Sequence, residues 1–365
     1  MFPLIDVSGT AFERGRMHGE LARERVERSL ANYAQLFAFC GIPWMEAQRR
    51  AEAYRDPIGV LDPALLEEIE GIAAGAGREA AEILALNART ELLPATFLGK
   101  PVAGGGECTA IAVQPEASAT GTTLLAQNWD WLGAQRGALI LLRVAEGEHP
   151  ACLTLTEAGM LAKIGMNVLG FGVCLNILRS VEDGRRAGVP VHVLLRALLQ
   201  RASVPDAIAF TSGLSFGSSS NVLCADVKGD AASLEVSPLG VRVLRGEGGT
   251  LCHTNHFLAA GTHGWQLELA DNLSTAPRLE RARMLAAALG VHGIEDVKRL
   301  LRDESQGFLS ICRHPDPSLP EEARIETVAS IVMELAHATI HVAPDIPSRT
   351  EYRPVPIVRE PALAA

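Results

Sequence analysis

"GGGECTAIAV", residues 104–113, sets three glycines and a glutamate directly before Cys108 and an apolar, strand-prone run directly after it. Glycine opens backbone conformations that other residues avoid. A cysteine at such a junction can attack the carbonyl of the residue before it. An N-to-S acyl shift gives a thioester, water hydrolyses it, and the new chain begins at Cys108. Its free α-amine, with an unperturbed pKa of about 7.7–8.0, can take the proton from its own thiol, which is the logic of an N-terminal nucleophile. The competing reading is a flexible linker before a structural strand.

Outward from this junction the pattern differs on the two sides. Upstream, residues 11–40 read as an amphipathic helix, with Phe12, Met17, Leu21, Val26, Leu30 and Leu36 near helical spacing. Residues 63–90 continue helical, with Pro63 suited to a first turn. Downstream come strands: "CTAIAVQ", "TTLLAQNW", "ALILLRVAE", "ACLTLTEAG", "KIGMN" and "GFGVCLNIL". A helix is expected over 190–201. A second strand group follows in "SNVLCADVKG", "ASLEVSP", "GVRVLRG" and "GTLCHTNHF". Helices return at 277–289 and 294–302, and "ETVASIVMELAHATIHVAP" closes with two strands. The last dozen residues read as a surface tail. Strand runs interrupted by a few helices predict α+β layers, divided into a helical segment over 1–107 and a sheet-rich part over 108–365.

Composition narrows the function. The 365 residues are 48% hydrophobic and 21% charged, which is ordinary for a globular chain. A formal net charge of −10 argues against nucleic acid as a partner. No apolar run approaches the roughly 20 residues of a membrane helix. The N-terminus lacks a basic start followed by an apolar stretch, so a cytoplasmic location is expected. Seven cysteines, an odd number with no CxxC spacing, argue against a disulfide framework or a zinc knuckle. "CHTNH", 252–256, offers metal-ligand types, but alternate residues of a strand face opposite ways. Neither a metal nor a cofactor is expected.

About twenty residues after Cys108 comes "AQNWDW", 126–131. With "ECTAIAV" it resembles the acyl-coenzyme A:6-aminopenicillanic acid acyltransferase (isopenicillin N acyltransferase-like) family, peptidase family C45 of the Ntn hydrolases. The resemblance continues through "IGMNVLGFGVCLN", "LCHTNHF", "STAPRLERAR" and "SICRHPDP" to "TVASIVMEL", so it covers most of the chain. It implies an αββα sandwich of two antiparallel sheets between helical layers. It also implies a precursor cut between Glu107 and Cys108, with residues 1–107 removed or separated from a catalytic part over 108–365. The glutamate at 107 departs from the glycine of the family's penicillin-pathway member.

The resemblance maps Asp130 onto the aspartate beside the nucleophile, where a carboxylate can hold the new α-ammonium near the sulfur. It maps Asn255, and less tightly Asn176, onto oxyanion donors, with Asn167 as the competitor of Asn176. Amide N–H groups can meet a developing oxyanion without adding charge. Arg278, next to Pro277 at a predicted helix start, sits where the helix dipole disfavours a cation. That suggests a specific partner, Asp130 or the thiolate, and the family match points to the same residue. Gln127 reads as a polar group of the site, Trp131 as a wall of an acyl pocket, and His256 as a residue lining it.

These readings predict an N-terminal cysteine amidohydrolase or acyltransferase. It would form an acyl-enzyme from a small-molecule N-acyl amide or acyl thioester and pass the acyl group to water or an amine. Its own N-terminal segment is a partner, and a homo-oligomer is compatible with the sequence. Two alternatives stand beside this one. The first is a Cys-His thiol hydrolase using His253 or His256 without self-cleavage. The second is an uncleaved, non-catalytic small-molecule binder.

Overall fold

The computed structural model describes residues 1–94, 108–267, 274–319 and 324–358. The N-terminal part begins with a strand, β1 (Leu4–Ser8). The helices α1 (Ala11–Leu21), α2 (Arg23–Phe39), α3 (Trp44–Ala51), α4 (Arg55–Leu61), α5 (Pro63–Ala76), α6 (Ala80–Asn87) and α7 (Arg89–Leu92) follow. From residue 108 the chain runs through β2 (Thr109–Val113), β3 (Leu124–Leu132), β4 (Leu139–Ala145), β5 (Cys152–Glu157), β6 (Ile164–Asn167) and β7 (Phe171–Ile177). After α8 (Val191–Leu198) and α9 (Val204–Ser212) come β8 (Ser220–Asp226), β9 (Ala231–Ser237), β10 (Gly240–Leu244) and β11 (Thr250–His253). The chain closes with α10 (Thr275–Leu289), α11 (Ile294–Leu301), β12 (Ile325–Glu334), β13 (Thr339–Ala343) and β14 (Arg353–Pro356).

The strands form two sheets, β1-β4-β5-β6-β7-β8-β9-β10 and β11-β2-β3-β12-β13-β14. They face one another where β2 and β3 lie over β7 and β8. The N-terminal helices with α8 and α9 cover the eight-stranded sheet, and α10 and α11 cover the six-stranded one. This is the α+β αββα sandwich expected from the sequence. One apolar cluster joins the N-terminal helices, the first sheet and the inner face of the second; another lies between the second sheet and α10–α11.

Three expectations need correction. First, residues 1–94 are not helical throughout: β1 extends the larger sheet by pairing parallel to β4, Leu4 opposite Leu141 to Ser8 opposite Ala145. Second, residues 11–40 are two helices that break at Ala22. In α1 the buried face is Arg14, Gly15, His18 and Gly19, while Phe12 and Leu21 are exposed. Glycine explains this. A Cβ at Gly15 would lie 2.0 Å from the Glu68 carbonyl, and one at Gly75 would lie 2.0 Å from the Arg16 carbonyl. So α1 and α5 touch backbone to backbone, and the seam is made by missing side chains rather than apolar ones. Third, the C-terminal residues 353–356 are an edge strand, β14, paired with β13. Pro354 and Pro356 are tolerated there because an edge strand need not donate on its outer side.

Burial alone does not join the N-terminal part to the rest. Arg14 of α1 and Arg196 of α8 both meet Glu68 of α5 and Glu146 at the end of β4, at 2.9–3.2 Å, with all four side chains nearly inaccessible. Arg89 pairs with Glu157 at 3.3 Å. The Gly159 N–H donates to His18 Nε2 across the same interface.

Candidate active site

Strand alternation sorts "QNWDW" onto two faces. Gln127 and Trp131 point towards the larger sheet and the N-terminal helices. The Gln127 amide donates to the Leu175 carbonyl at 2.6 Å and accepts from the Leu175 N–H at 2.8 Å. Both its ends therefore join β3 to β7, and the side chain links the sheets rather than offering a free polar group. Trp131 donates through Nε1 to Tyr33 at 3.2 Å and lies under the Arg89 guanidinium. It packs against the N-terminal helices. Asn128 and Asp130 face the other way, and Asn128 caps the carbonyls of Leu301 and Ile311.

Asp130 is fully buried opposite Thr327, where β12 carries an extra residue that shifts the register. A bulge re-aims the side chains beside it. Here it lets the Thr327 hydroxyl donate to Asp130 Oδ1 at 2.7 Å. Burial pushes the Asp130 carboxyl above the ordinary range, while Arg313, Arg278, the Thr327 hydroxyl and the Cys108 backbone N–H pull it back. The carboxylate thus faces the nitrogen that a cut before Cys108 would turn into an α-amine. Glu107, the other side of that bond, lies outside the described residues.

Cys108 is 3% exposed and has φ +71°. A non-glycine residue held in the left-handed region costs of order 1–3 kcal/mol. Its conformation is fixed from the other side of the residue. Arg278 Nη1 donates to the Cys108 carbonyl at 2.6 Å and to the Thr109 hydroxyl at 3.0 Å, and Asn176 Nδ2 donates to the same carbonyl at 3.3 Å. Arg278 is fully buried in the first turn of α10, and its Nη2 reaches Asn255 Oδ1 at 3.0 Å. These neutral acceptors, together with the charge of the Asp130 carboxylate, hold the cation against the helix dipole.

The two asparagines differ in what they have left to give. Asn176 is oriented by Asn221, which donates to its Oδ1 at 3.1 Å. Its Nδ2 is shared between the carbonyls of Cys108 and His253. Asn255 uses one amide hydrogen on the Ile177 carbonyl at 3.0 Å and keeps a second. Asn167 is a loop anchor, donating to the carbonyls of Leu199 and Arg201 and accepting from the N–H groups of Leu169 and Phe171.

Both ring nitrogens of His253 and Nδ1 of His256 are engaged by residues other than Cys108. His253 is bonded on one side to Glu235 at 2.9 Å and on the other to the Thr254 carbonyl at 2.7 Å. His256 is held by Thr275 at 2.8 Å, and burial lowers it to about 4. The structure thus gathers Cys108, Asp130, Asn176, Asn255 and Arg278 around one backbone position and leaves Gln127, Trp131 and His256 in packing or supporting contacts. Sequence reasoning missed Arg313, the strongest opposing charge on Asp130, although "SICRHPDP" lay within the resemblance. It also missed Thr327 and Thr109. Among the described residues only Glu304, Cys312 and His314 form a set that could hold an ion, their ligand atoms within 4.8 Å of one another. The set lies around Arg313, outside the Cys108 cluster, and "CHTNH" forms no such set.

Residues 118–348 match the family described as acyl-coenzyme A:6-aminopenicillanic acid acyl-transferase. The chain belongs to this family. It is 30% identical over 318 residues to the 40 kDa form of acyl-coenzyme A:6-aminopenicillanic-acid-acyltransferase of Emericella nidulans, covering 85% of this chain and 84% of that one. Two solved structures are similar to it. One is a mutant conjugated bile acid hydrolase from Clostridium perfringens, with TM-score 0.48 and 12% identity, over 68% of this chain and 96% of that one. The other is penicillin V acylase from Agrobacterium tumefaciens, with TM-score 0.44 and 15% identity, over 65% and 83%. The family is one of acyltransferases, and this member is an enzyme of that family. Among the described residues no helix is long and apolar enough to cross a membrane.

Proposed function

We propose that this enzyme cuts its own chain before Cys108 and then works as an N-terminal cysteine amidohydrolase or acyltransferase. The observation that carries the reading is the backbone of Cys108. Its nitrogen faces a buried carboxylate, its carbonyl is clamped by Arg278 and Asn176, and its φ is strained. Strain there is stored next to the bond to be broken, and cleavage releases it because an N-terminal residue has no preceding peptide to constrain φ.

In the cut, the Cys108 thiol adds to the carbonyl of Glu107, the C–N bond breaks, and the nitrogen leaves as an amine. Water then hydrolyses the thioester, giving a carboxylate on Glu107 and a free α-amine on Cys108. In turnover the amine takes the thiol proton while sulfur attacks a substrate carbonyl. The free amide hydrogen of Asn255 meets the oxyanion. The ammonium returns its proton to the leaving amine or thiol, and water or an amine then removes the acyl group from sulfur. Asp130 holds the amine in place, and Arg278 and Arg313 offset the carboxylate so that the amine is not fixed as ammonium. Cleavage leaves two chains joined, because β1 lies in the larger sheet and the buried ion pairs cross between the parts.

The test is acid-quenched mass spectrometry with a panel of N-acyl amides and acyl thioesters. The expected result is the added mass of the acyl group on Cys108 of the fragment that begins there. Turnover without any adduct on Cys108, or with the adduct on another residue, would rule the mechanism out.

A further inference from the structure

Between the N-terminal part and the loop after β7 lies a cleft of about 520 Å³, lined by Arg49, Arg50 and Glu91 on one side and by Arg179, Arg185 and Arg186 on the other. Most of these charges are already answered. Arg49 and Arg50 pair with Glu46, Arg185 pairs with Glu182, and Arg186 donates to the Pro238 carbonyl. Asp183, which also lines the cleft, accepts from Ser180 and Ser219. Arg179 is the exception. It is 5% exposed, its Nε is buried without an acceptor, and its guanidinium makes no hydrogen bond or ion pair among the described residues. A buried cation without a counter-charge is costly to keep.

Two further features set the kind of ligand. Glu91 presents a buried Oε2 with no partner, and burial pushes its carboxyl upwards, towards the protonated form that can donate a hydrogen bond. Glu91 and Asp183 in the same cleft disfavour a dianion such as phosphate, and a planar carboxylate suits one guanidinium, which binds it in bidentate fashion. Arg179 follows Asn176 by three residues and Ile177, whose carbonyl holds Asn255, by two. Between Cα atoms three residues span at most about 10 Å, so the cleft adjoins the end of the strand that carries Asn176.

We propose that Arg179 binds a carboxylate on the substrate whose carbonyl Cys108 attacks. This rests on the acyl-transfer reading of the site. It means that the N-terminal part supplies one wall of the substrate cleft. The substrate class is an acyl amide or thioester carrying a free carboxylate.

Binding to the single-chain Cys108→Ala protein tests this without requiring catalysis or cleavage, so its failure differs from the absence of an acyl-enzyme in the wild type. Calorimetry would compare N-hexanoylglycine with its methyl ester. The acid should bind about 10- to 100-fold more tightly than the ester. Adding Arg179→Met should erase that preference without lowering the melting temperature, and Arg179→Lys should restore part of it. Equal binding of acid and ester, no binding of either, a preference that survives Arg179→Met, or a lowered melting temperature in Arg179→Met would each overturn the assignment.

Discussion

Two buried clusters of charge lie in this molecule, and they are built on opposite principles. Between α1, α5 and α8, two arginines meet two glutamates and every charge is answered by another side chain. Around Cys108, Arg278 and Arg313 act on the single carboxylate of Asp130, and Arg278 directs its bonds to a backbone carbonyl, a hydroxyl and an amide. The first cluster closes on itself and holds two parts of the chain together. The second closes on one cysteine, in a conformation that cysteine does not prefer. Burial alone therefore does not distinguish a clamp from a reaction centre; what the charges are aimed at does.

Breaking each cluster should produce opposite losses. Glu68→Gln removes the carboxylate shared by Arg14 and Arg196. It should cost about 3–5 kcal/mol of stability in chemical denaturation, because two buried cations are left to share the one carboxylate of Glu146. Turnover per folded molecule should persist. Asn255→Ala should do the reverse. Turnover should fall about 10²–10³-fold, KM should change far less, and the denaturation midpoint should move less than in Glu68→Gln. A variant with wild-type turnover would remove Asn255 from the chemistry.

The clamp also predicts an acid limit. Burial lowers His18 to about 4, and the neutral ring accepts the Gly159 N–H. Below about 6.5 the unfolded chain binds a proton that the folded chain refuses until about pH 4. Stability is thus lost as pH falls through that window, by on the order of 3 kcal/mol for this group. His192, which burial also holds well below its usual value, acts in the same direction. In melts at pH 7 and pH 5, His18→Gln should flatten part of this dependence. An unchanged slope would show that His18 does not carry it.

The smallest predicted effect concerns strain. In the uncut protein Cys108→Gly should be more stable than Cys108→Ala by about 1 kcal/mol, because glycine accepts φ +71° without penalty. Equal denaturation midpoints would mean that the left-handed conformation stores nothing.

What the sequence made legible follows from which interactions are local. The glycine tract and the strand onset at Cys108 are local patterns, and they marked the proposed nucleophile and its strand; Asp130 came from the family resemblance of "AQNWDW". Arg313 was not legible as part of the site. It sits in a proline-containing loop, and its effect on Asp130 depends on a β12–β3 register with a bulge that no local pattern announces. The buried face of α1 was misread for a related reason. Hydrophobic periodicity looks for side chains, and this seam is made by glycines that have none. β1 and β14 are short edge strands of four or five residues, with too few alternations to stand out. Arg179 looked like any arginine after a strand. Only the cleft around it shows that its charge has no answer within the described residues.

The central claim is that Cys108 opens its own N-terminal peptide bond. Intact-mass measurement with N-terminal sequencing of freshly purified wild type and Cys108→Ala tests it most directly. The account predicts two associated fragments in the wild type, the larger beginning with Cys108, and one uncut chain in the variant. A wild type that remains a single chain while turning over substrate, or a variant cut as fully as the wild type, would contradict it.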